Sequence, residues 1–378
     1  MFFSRITVRP IVVALIASTC FAVAIACLCP RAAAQSPSTD QSSGLINPQA
    51  IAFNPATKKV YVVDTAHAAV DVIDTVSQSV QHLAVGAAPV SIAVDSATGR
   101  AYAANAADGT VSIIDGTSNA VTATIPVGAR PYSIAANALT GMVYVSHTFS
   151  DKTTVFDGAT HAVTQLATGS IDLIAIDTAA DTVYLLAYEG GNLTVFEGAQ
   201  RTLRKQDAGK HAWGMAVNEA THTLYVARVG TGDVIALQGT SSSIFRAGHT
   251  PCAVAVNPRT NTIYVANYAD GSVTVLDAGL DAGTGRAAAT IRVGEHPQAL
   301  AVDAQRNLVY VANTFSNTVT IIDGESRKAV ATLPAGKAPY ALAVDPGSSR
   351  LYVANGAGDR HFTIVDTTLP QKGKSPAL

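Results

Sequence analysis

The chain has 378 residues and a formal net charge of −2, and 14% of its residues are charged, compared with roughly 25% in an average soluble protein. It contains no basic stripe that would attract nucleic acid or an anionic lipid surface, so neither is expected as a partner. A regular repeat overrides the estimate of about two or three domains that the length alone would give.

Residues 1–34 have the three parts of a secretory signal peptide. Arg5 and Arg9 form a basic start, Ile11–Leu28 an apolar run, and Ala32–Ala34 a small-residue cleavage site before Gln35. The apolar run of 18 residues is also long enough for an uncleaved anchor, but cleavage is the favoured interpretation. A mature protein starting at Gln35 would have no membrane span and would be periplasmic or extracellular.

Cleavage would change the charge and the cysteine content of the chain. It removes three of the 25 basic residues and no acidic residue, so the formal net charge falls from −2 to −5. Cys20, Cys27 and Cys29 leave with the signal, so the mature chain keeps Cys252 and has no internal disulfide. A lipid anchor on Cys27 is disfavoured because no leucine precedes it by three residues.

A repeat follows a polar lead-in over residues 35–44 and covers residues 45–368. One tyrosine recurs in each copy at a mean spacing of about 42 residues, in the range of repeats that form one β-sheet blade each. These tyrosines are Tyr61, Tyr102, Tyr144, Tyr184, Tyr225, Tyr264, Tyr310 and Tyr352. No linker interrupts the repeat, so the sequence predicts one domain, followed by a flexible tail over residues 369–378.

Each copy begins with a strand that follows a Gly-x-x-Pro turn, as at Pro131–Asn137 and Pro251–Asn257. Near its end this strand carries an alanine, which fits where inner strands converge on an axis. The alanines concerned are Ala93, Ala135, Ala216, Ala255, Ala301 and Ala343. The closing Asp or Asn can bond the backbone two residues on, so we interpret these residues as turn formers rather than metal ligands.

The remaining strands of each copy complete a blade. The second strand carries the tyrosine and is apolar at consecutive positions, as expected for a strand covered on both faces. Eight copies have three strands, but only seven have a convincing outer strand such as Val121–Val127. The eighth would come from residues 38–43 or from the tail after Asp366, and both are polar. The sequence therefore predicts an all-β propeller of eight four-stranded blades, with an incomplete last blade and a ring closed by packing between blades.

The tyrosine strands carry a recurring motif. Tyr264–Asn267, Tyr310–Asn313 and Tyr352–Asn355 all read Tyr-Val-Ala-Asn, and looser copies begin at Tyr102 and Tyr144. Over residues 45–368 the chain resembles the YVTN β-propeller family, whose members are mostly exported or surface-layer proteins. The resemblance also extends to propellers of quinoprotein and nitrite-reductase-type redox enzymes and of sugar lactonases. The motif is structural, so the resemblance assigns no catalytic residue.

Two copies depart from this motif. They read Tyr184-Leu-Leu-Ala187 and Tyr225-Val-Ala-Arg228, and the turns before Ile174 and Trp213 lack the proline. Because the proline fixes the backbone at the start of the inner strand, we expect irregular geometry in these two blades.

Functional residues are expected where the copies differ. In propellers, the turns that lead into the inner strands surround the mouth of the central channel. Here these turns carry basic, imidazole, acidic and aromatic groups, which suit a polar or anionic small ligand. The predicted ligand-binding residues are Arg130, Tyr132, Lys210, His211, Trp213, His249, Glu295, His296, Lys337 and Tyr340.

Metal and nucleophile sites are weakly indicated. His211, His249 and His296 fall at nearly equivalent places on three successive copies and could together bind copper or zinc. Their spacing only reflects the repeat, so unliganded surface histidines are favoured and no metal or cofactor is assigned. The long loop from Asp277 to Gly285 is a less favoured calcium site than a glycine-rich hairpin. Cys252 has no activating partner in sequence, which favours a buried thiol over a nucleophile.

These features favour an exported, monomeric binding scaffold without catalysis, which docks a protein or a small molecule at the channel mouth. No Cys-x-x-Cys-His haem motif and no Gly-x-Ser-x-Gly nucleophile elbow occurs. The alternative is a propeller enzyme, lactonase-like or redox, that uses the same face through Arg130, His211, His249, Glu295 and His296. A structural protein of the cell surface is a third possibility, disfavoured by the lack of an anchoring module.

We predict that the exported protein begins at Gln35, because signal peptidases require small residues such as Ala32 and Ala34 before the cut. N-terminal sequencing of the native protein checks this prediction. An Ala32→Leu, Ala34→Leu variant should retain the longer precursor, while an Ala33→Leu control should still be cut. Recovery of an intact Met1 on a cytosolic protein would contradict the assignment.

Overall fold

The computed structural model describes residues 51–277, 287–346, 348–358 and 361–369. Within these ranges, 31 strands form eight antiparallel sheets. No helix in this part of the chain is long and apolar enough to cross a membrane. The predicted signal segment, the predicted lead-in, the calcium-candidate loop after Asp277 and the tail beyond Leu369 lie outside the described residues.

Each sheet is one blade, with its strands in chain order from the axis outwards. The inner strands are β1 (Ile51–Asn54), β5 (Pro89–Asp95), β9 (Pro131–Asn137), β13 (Leu173–Asp177), β17 (Ala212–Asn218), β21 (Pro251–Asn257), β25 (Pro297–Asp303) and β29 (Pro339–Asp345). The second strands are β2 (Lys59–Asp64), β6 (Arg100–Asn105), β10 (Met142–His147), β14 (Thr182–Leu186), β18 (Thr223–Arg228), β22 (Thr262–Asn267), β26 (Leu308–Asn313) and β30 (Arg350–Asn355).

The outer half of each blade follows the same order. The third strands are β3 (Ala69–Asp74), β7 (Thr110–Asp115), β11 (Lys152–Asp157), β15 (Asn192–Glu197), β19 (Asp233–Gln238), β23 (Ser272–Asp277), β27 (Thr318–Asp323) and β31 (Phe362–Asp366). The outer strands are β4 (Val80–Ala84), β8 (Ala120–Pro126), β12 (Val163–Ala167), β16 (Thr202–Asp207), β20 (Ser241–Arg246), β24 (Ala289–Arg292) and β28 (Lys328–Pro334). Blade 1 is therefore β1–β4, and the blades are numbered along the chain to blade 8, β29–β31.

The eight blades form a closed ring. Each inner strand contacts the inner strand of the next blade, and β29 of blade 8 contacts β1 of blade 1. Seven blades have four strands, whereas blade 8 has three among the described residues. The predicted eight-bladed propeller with an incomplete last blade is confirmed.

The ring has two faces, which the antiparallel strands define. The mouth face carries the turns that enter the inner strands and the turns that join second to third strands. The far face carries the turns that join inner to second strands and third to outer strands. The sequence-predicted ligand residues all belong to the mouth face.

The repeated alanine of the inner strand lies directly opposite the repeated tyrosine of the second strand. Ala255 pairs with Tyr264 and Ala301 with Tyr310, and Ala52 pairs with Tyr61 in blade 1. The tyrosine ring needs the space that a larger inner-strand side chain would fill. The alanines are therefore explained by this cross-strand pairing, in addition to the taper of the ring.

Each tyrosine also reaches the neighbouring blade. A Cβ atom added to Gly116 in blade 2 would lie 2.6 Å from the Tyr61 hydroxyl of blade 1, and one added to Gly324 in blade 7 would lie 2.8 Å from that of Tyr264 in blade 6. In both cases the phenol lies beneath the turn after the third strand of the next blade. Full burial of an aromatic ring of this kind contributes roughly 1.5–3 kcal/mol.

The junction of blades 8 and 1, which we call the seam, uses the same contact. The Gln78 amide of blade 1 donates a hydrogen bond to the Tyr352 hydroxyl of blade 8 at 3.3 Å, and Arg350 donates to the Thr75 carbonyl at 2.8 Å. Tyr340 and Tyr352 pack in one apolar cluster with Val60 and other blade 1 residues. Packing between blades therefore closes the ring, as the sequence predicted.

The acids and amides of the far face hold their own turns. Asp95 accepts the Ala97 amide at 2.8 Å, and Asn137 accepts the Leu139 amide at 2.9 Å. The same contact recurs in other blades, at Asn54, Asn218, Asn257 and Asp303. These residues are turn formers, as predicted, because one side-chain oxygen of each already accepts a backbone amide of its own turn.

Blades 4 and 5 were both expected to be irregular. Blade 4 is irregular, whereas blade 5 has a regular inner strand. Strand β13 has five residues, whereas β17 has seven like most other inner strands. In blade 5, Ala212 takes the place of the proline and keeps the same pairing with the end of the second strand. Alanine can adopt the backbone angles that proline fixes, so the missing proline does not by itself disturb the strand.

We predict that Gly158→Ala destabilises the protein by about 1–3 kcal/mol, the usual cost of overpacking. The nearest atom to the added Cβ is the Tyr102 hydroxyl of the neighbouring blade, and the next is the Gly141 carbonyl oxygen at 3.1 Å. Adding Tyr102→Phe should therefore restore most of the lost stability in urea unfolding. Gly190→Ala, whose Cβ would first meet the flexible Asn192 side chain at 3.0 Å, is the control and should cost little. An additive double variant would argue against the contact.

Candidate functional site

The inner strands share an irregularity at the end that lies on the mouth face. In six blades the pairing register shifts directly after the first residue of that strand. Such a bulge leaves a residue unpaired and redirects its side chain. The residues concerned are Val90, Tyr132, Trp213, Cys252, Gln298 and Tyr340. The sequence predicted Tyr132, Trp213 and Tyr340 at the mouth, but it showed no sign of the bulge. Tyr132, Trp213 and Gln298 are partly exposed, whereas Val90, Cys252 and Tyr340 are buried.

The residue just before these strands has a left-handed backbone. Arg130, His211 and His296 have φ angles of 53°, 56° and 52°, which are uncommon for residues other than glycine. Their carbonyl groups accept the amides of Thr148, Val229 and Thr314, at 3.0–3.1 Å. The turn is therefore held by hydrogen bonds to the end of the second strand, and these side chains have a fixed starting direction.

The three histidines proposed as metal ligands are not brought together. His249 contacts Asp270 through Nδ1 at 2.8 Å, and the His211 ring lies 5.8 Å from that of Tyr188. His296 lies between Tyr268 and Phe315, at centroid distances of 4.3 and 4.1 Å. Within the described ranges, no three His, Cys, Asp or Glu residues form a group that could hold a metal ion.

Other predicted ligand residues differ in how accessible they are. Lys210, Glu295 and Lys337 are exposed on the mouth face, and the Arg130 guanidinium lies 5.9 Å from the ring centre of Phe149. Tyr340, in contrast, is only 6% exposed and belongs to the apolar core that packs blade 8 against blade 1. Burial raises its pKa, so Tyr340 acts as a neutral packing residue in this structure.

Cys252 is fully buried, as the sequence favoured. Its thiol donates to the Pro297 carbonyl at 3.3 Å, and it packs with Ala266, Trp213 and Tyr268. Trp213 is partly buried, and its indole meets the Tyr188 ring edge-on at 4.7 Å. One side of Trp213 therefore packs between blades, while part of its ring remains solvated.

A cavity of 540 Å³ opens on the mouth face between blades 3 and 4. Its lining includes Phe149, Asp172, Tyr188, Glu189 and Lys205. The volume is within the roughly 300–1,000 Å³ typical of small-molecule sites. None of these five residues was among the sequence-predicted ligands, because the cavity forms where two blades meet.

Asp172 is the most informative residue that the sequence analysis missed. The pairing of β13 with β14 aligns Asp172 with Tyr132 of blade 3, so a carboxylate replaces the side chains found at the other mouth positions. It accepts the Tyr188 amide at 2.8 Å. Burial, and next the Asp172 carboxylate, raise the pKa of Tyr132. Aligning the copies with one deletion in the turn before β13 would have revealed this exchange.

Two further cavities lie at other blade junctions. One of 400 Å³ lies on the mouth face between blades 6 and 7, lined by Asp270, Arg292, Glu295 and His296 among others. Another of 690 Å³ lies on the far face between blades 7 and 8, beside Val330 and Leu369. The far-face cavity borders blade 8, which has three strands among the described residues.

Comparison with known proteins identifies the family. A family model described as a YNCE-like beta-propeller matches residues 65–370. A search of curated proteins finds no match to this chain.

Solved structures share the fold at low identity. Hydrazine synthase of Kuenenia stuttgartiensis has a TM-score of 0.58 and 18% identity, covering 89% of this chain and 100% of that chain. A protein of unknown function from Desulfotomaculum acetoxidans DSM 771 has a TM-score of 0.59 and 12% identity, covering 74% of this chain and 96% of that chain. The dihydro-heme d1 dehydrogenase NirN in complex with DHE has a TM-score of 0.67 and 11% identity, covering 88% of this chain and 73% of that chain.

These identities show similarity of fold and carry no ligand or reaction over to this chain. The family match, in contrast, spans most of the sequence and agrees with the eight-bladed ring. The chain belongs to the YNCE-like β-propeller family.

Proposed function

We propose that the protein is an exported, monomeric binding propeller without catalysis, and that its mouth face binds a small polar ligand. The observation that carries this proposal is the contrast between the two faces. Far-face acids and amides are used by their own turns, whereas mouth-face turns differ from blade to blade and border two cavities. Variation on a fixed scaffold is the usual arrangement of a binding site.

The cavity between blades 3 and 4 is the preferred binding position. Asp172 and Glu189 are balanced by Lys205 and the nearby Lys210, so neither a strong anion nor a strong cation is favoured by charge. The carboxylates and hydroxyls can hydrogen-bond a polar ligand, and Tyr188 offers an apolar surface. This combination suits an uncharged molecule with several hydroxyl or amide groups.

Nucleic acid is not a proposed partner, because the chain is slightly acidic and lacks a basic stripe. Export rests on the signal-like order of residues 1–34.

The second candidate is a propeller enzyme that uses the same face. The fold similarity to hydrazine synthase and to NirN, both named for redox proteins or complexes, motivates it. The predicted catalytic residues are spread over four blades; they are Arg130, His211, His249, Glu295 and His296. His249 contacts Asp270, and His296 contacts Tyr268. Binding without catalysis is therefore preferred. Turnover of lactones that is lost in His249→Ala would favour the enzyme instead.

We predict that acrylamide quenches the fluorescence of Trp213 moderately, because the indole is partly buried. Trp213 is the only tryptophan in the sequence, so the signal reports on this residue alone. Tyr188→Ala removes the ring that covers one side of the indole at 4.7 Å, so quenching should increase. Phe315→Ala, on a distant blade of the same face, is the control and should leave it unchanged. Complete protection of Trp213 would remove it from the proposed binding surface.

We also predict that a neutral polyhydroxylated probe shifts Trp213 emission more than an anionic one. The test is a titration with glucose, maltose and gluconolactone, against glucuronate and phosphate as anions. Asp172→Asn and Lys205→Gln, on the cavity wall, should weaken binding of any responding probe, whereas Glu325→Gln in the far-face cavity should not. Tight binding that only Glu325→Gln abolishes would place the site on the far face and overturn the proposal.

A further inference from the structure

The seam between blades 8 and 1 contains a group of acids and histidines that no other blade junction has among the described residues. Asp71 on β3 is fully buried. Its two carboxylate oxygens contact His82 Nδ1 of the outer strand β4 and His361 Nε2 of blade 8. We call Asp64, His67, Asp71, His82 and His361 the seam cluster.

The position of Asp71 is occupied by neutral residues in every other blade. Six blades place a serine or threonine there, and blade 5 places Ile235. The hydroxyl residues are Ser112, Thr154, Thr194, Thr274, Thr320 and Thr363. In blade 2, for example, Ser112 accepts a hydrogen bond from the Asn105 amide at 3.0 Å. The repeat thus normally fills this position with an uncharged, hydrogen-bonded pair.

Blade 1 replaces both members of that pair with acids. Asp64 stands where blade 2 has Asn105, and Asp71 stands where it has Ser112. Two neighbouring buried carboxylates repel each other and lose hydration, so they need a nearby cation or a proton. His67 contacts Asp64 at 2.7 Å, while His82 and His361 contact Asp71.

His361 connects this group to the other side of the seam. It directly precedes β31, its carbonyl accepts the Asn355 amide at 2.8 Å, and its side chain is 13% exposed. Its contact with Asp71 therefore joins the third strand of blade 1 to blade 8.

We propose that the buried acids make the seam cluster hold a proton in the closed ring that the neutral pair of the other blades would not hold, and that loss of this proton as pH rises weakens the junction of blades 8 and 1. The proton is shared by Asp71 and its two imidazoles and belongs to the group as a whole. With the proton bound, the buried carboxylate is neutral or paired with an imidazolium. Without it, Asp71 carries an uncompensated buried charge beside Asp64.

The electrostatics of Asp71 agree with this direction. Burial raises its pKa, the Asp64 carboxylate acts in the same sense, and His361 and His82 oppose both. The folded state therefore holds a proton that an unfolded aspartic acid, with a pKa of about 3.8, has already lost. By linkage, the stabilisation of the folded state by this proton is complete below pH 3.8. It is lost as the pH rises through the higher pKa of Asp71 in the folded state.

The experiment compares urea unfolding of the wild type with that of Asp64→Asn, Asp71→Ser, which restores the neutral pair of blade 2. We expect the unfolding constant of the wild type to rise with pH relative to this variant once the pH exceeds the ordinary aspartate value of 3.8, by at most about tenfold per pH unit for one proton. Parallel pH curves would overturn the proposal. Because the repeat tolerates the neutral pair elsewhere, the variant is expected to fold.

Amide hydrogen exchange locates the effect. Protection of β31 and β3 should fall as pH rises in the wild type, and His361→Gln should remove most of that pH dependence. His222→Gln is the matched control, since His222 contacts buried Asp177 across blades 4 and 5 at 2.8 Å, away from the seam. Equal effects of both substitutions on β31 would show a general loss of stability and refute a seam-specific proton.

Discussion

The structure depends on one repeated contact, the burial of a tyrosine between blades. Each ring fills the space left by an alanine on its own inner strand, and its hydroxyl approaches the turn of the next blade. The contact supplies apolar burial and fixes the distance between blades at the same time. Because blade 8 makes it with blade 1 through Tyr352 and Gln78, the ring closes without an eighth outer strand among the described residues.

The regularity of that contact determines where function is possible. Far-face acids and amides are used by the backbone of their own turns, so they are unsuited to bind other molecules. At the mouth face, the second residue of most inner strands lies in a bulge and varies from blade to blade; Tyr132, Trp213 and Gln298 are partly exposed there. Function is therefore expected where the scaffold permits sequence change without loss of packing, and the cavity beside Asp172 is such a place.

Blade 1 shows a different use of variation. At the seam, the neutral pair represented by Asn105 and Ser112 is replaced by Asp64 and Asp71 with three histidines nearby. A buried charged group contributes less to stability than a neutral one unless it is compensated. We therefore expect the strength of this contact to depend on pH.

The sequence by itself determined the eight blades, the strand boundaries and the turn-forming role of the acids, because these depend on local patterns repeated many times. It also placed His211, His249 and His296 on one face, but it could not show that each has a separate local environment. Asp172 and the pair of Asp71 with His361 were decided only by the tertiary structure. Their partners lie on different strands or blades, so the distances between them follow from how the blades pack and leave no signal in the spacing along the chain.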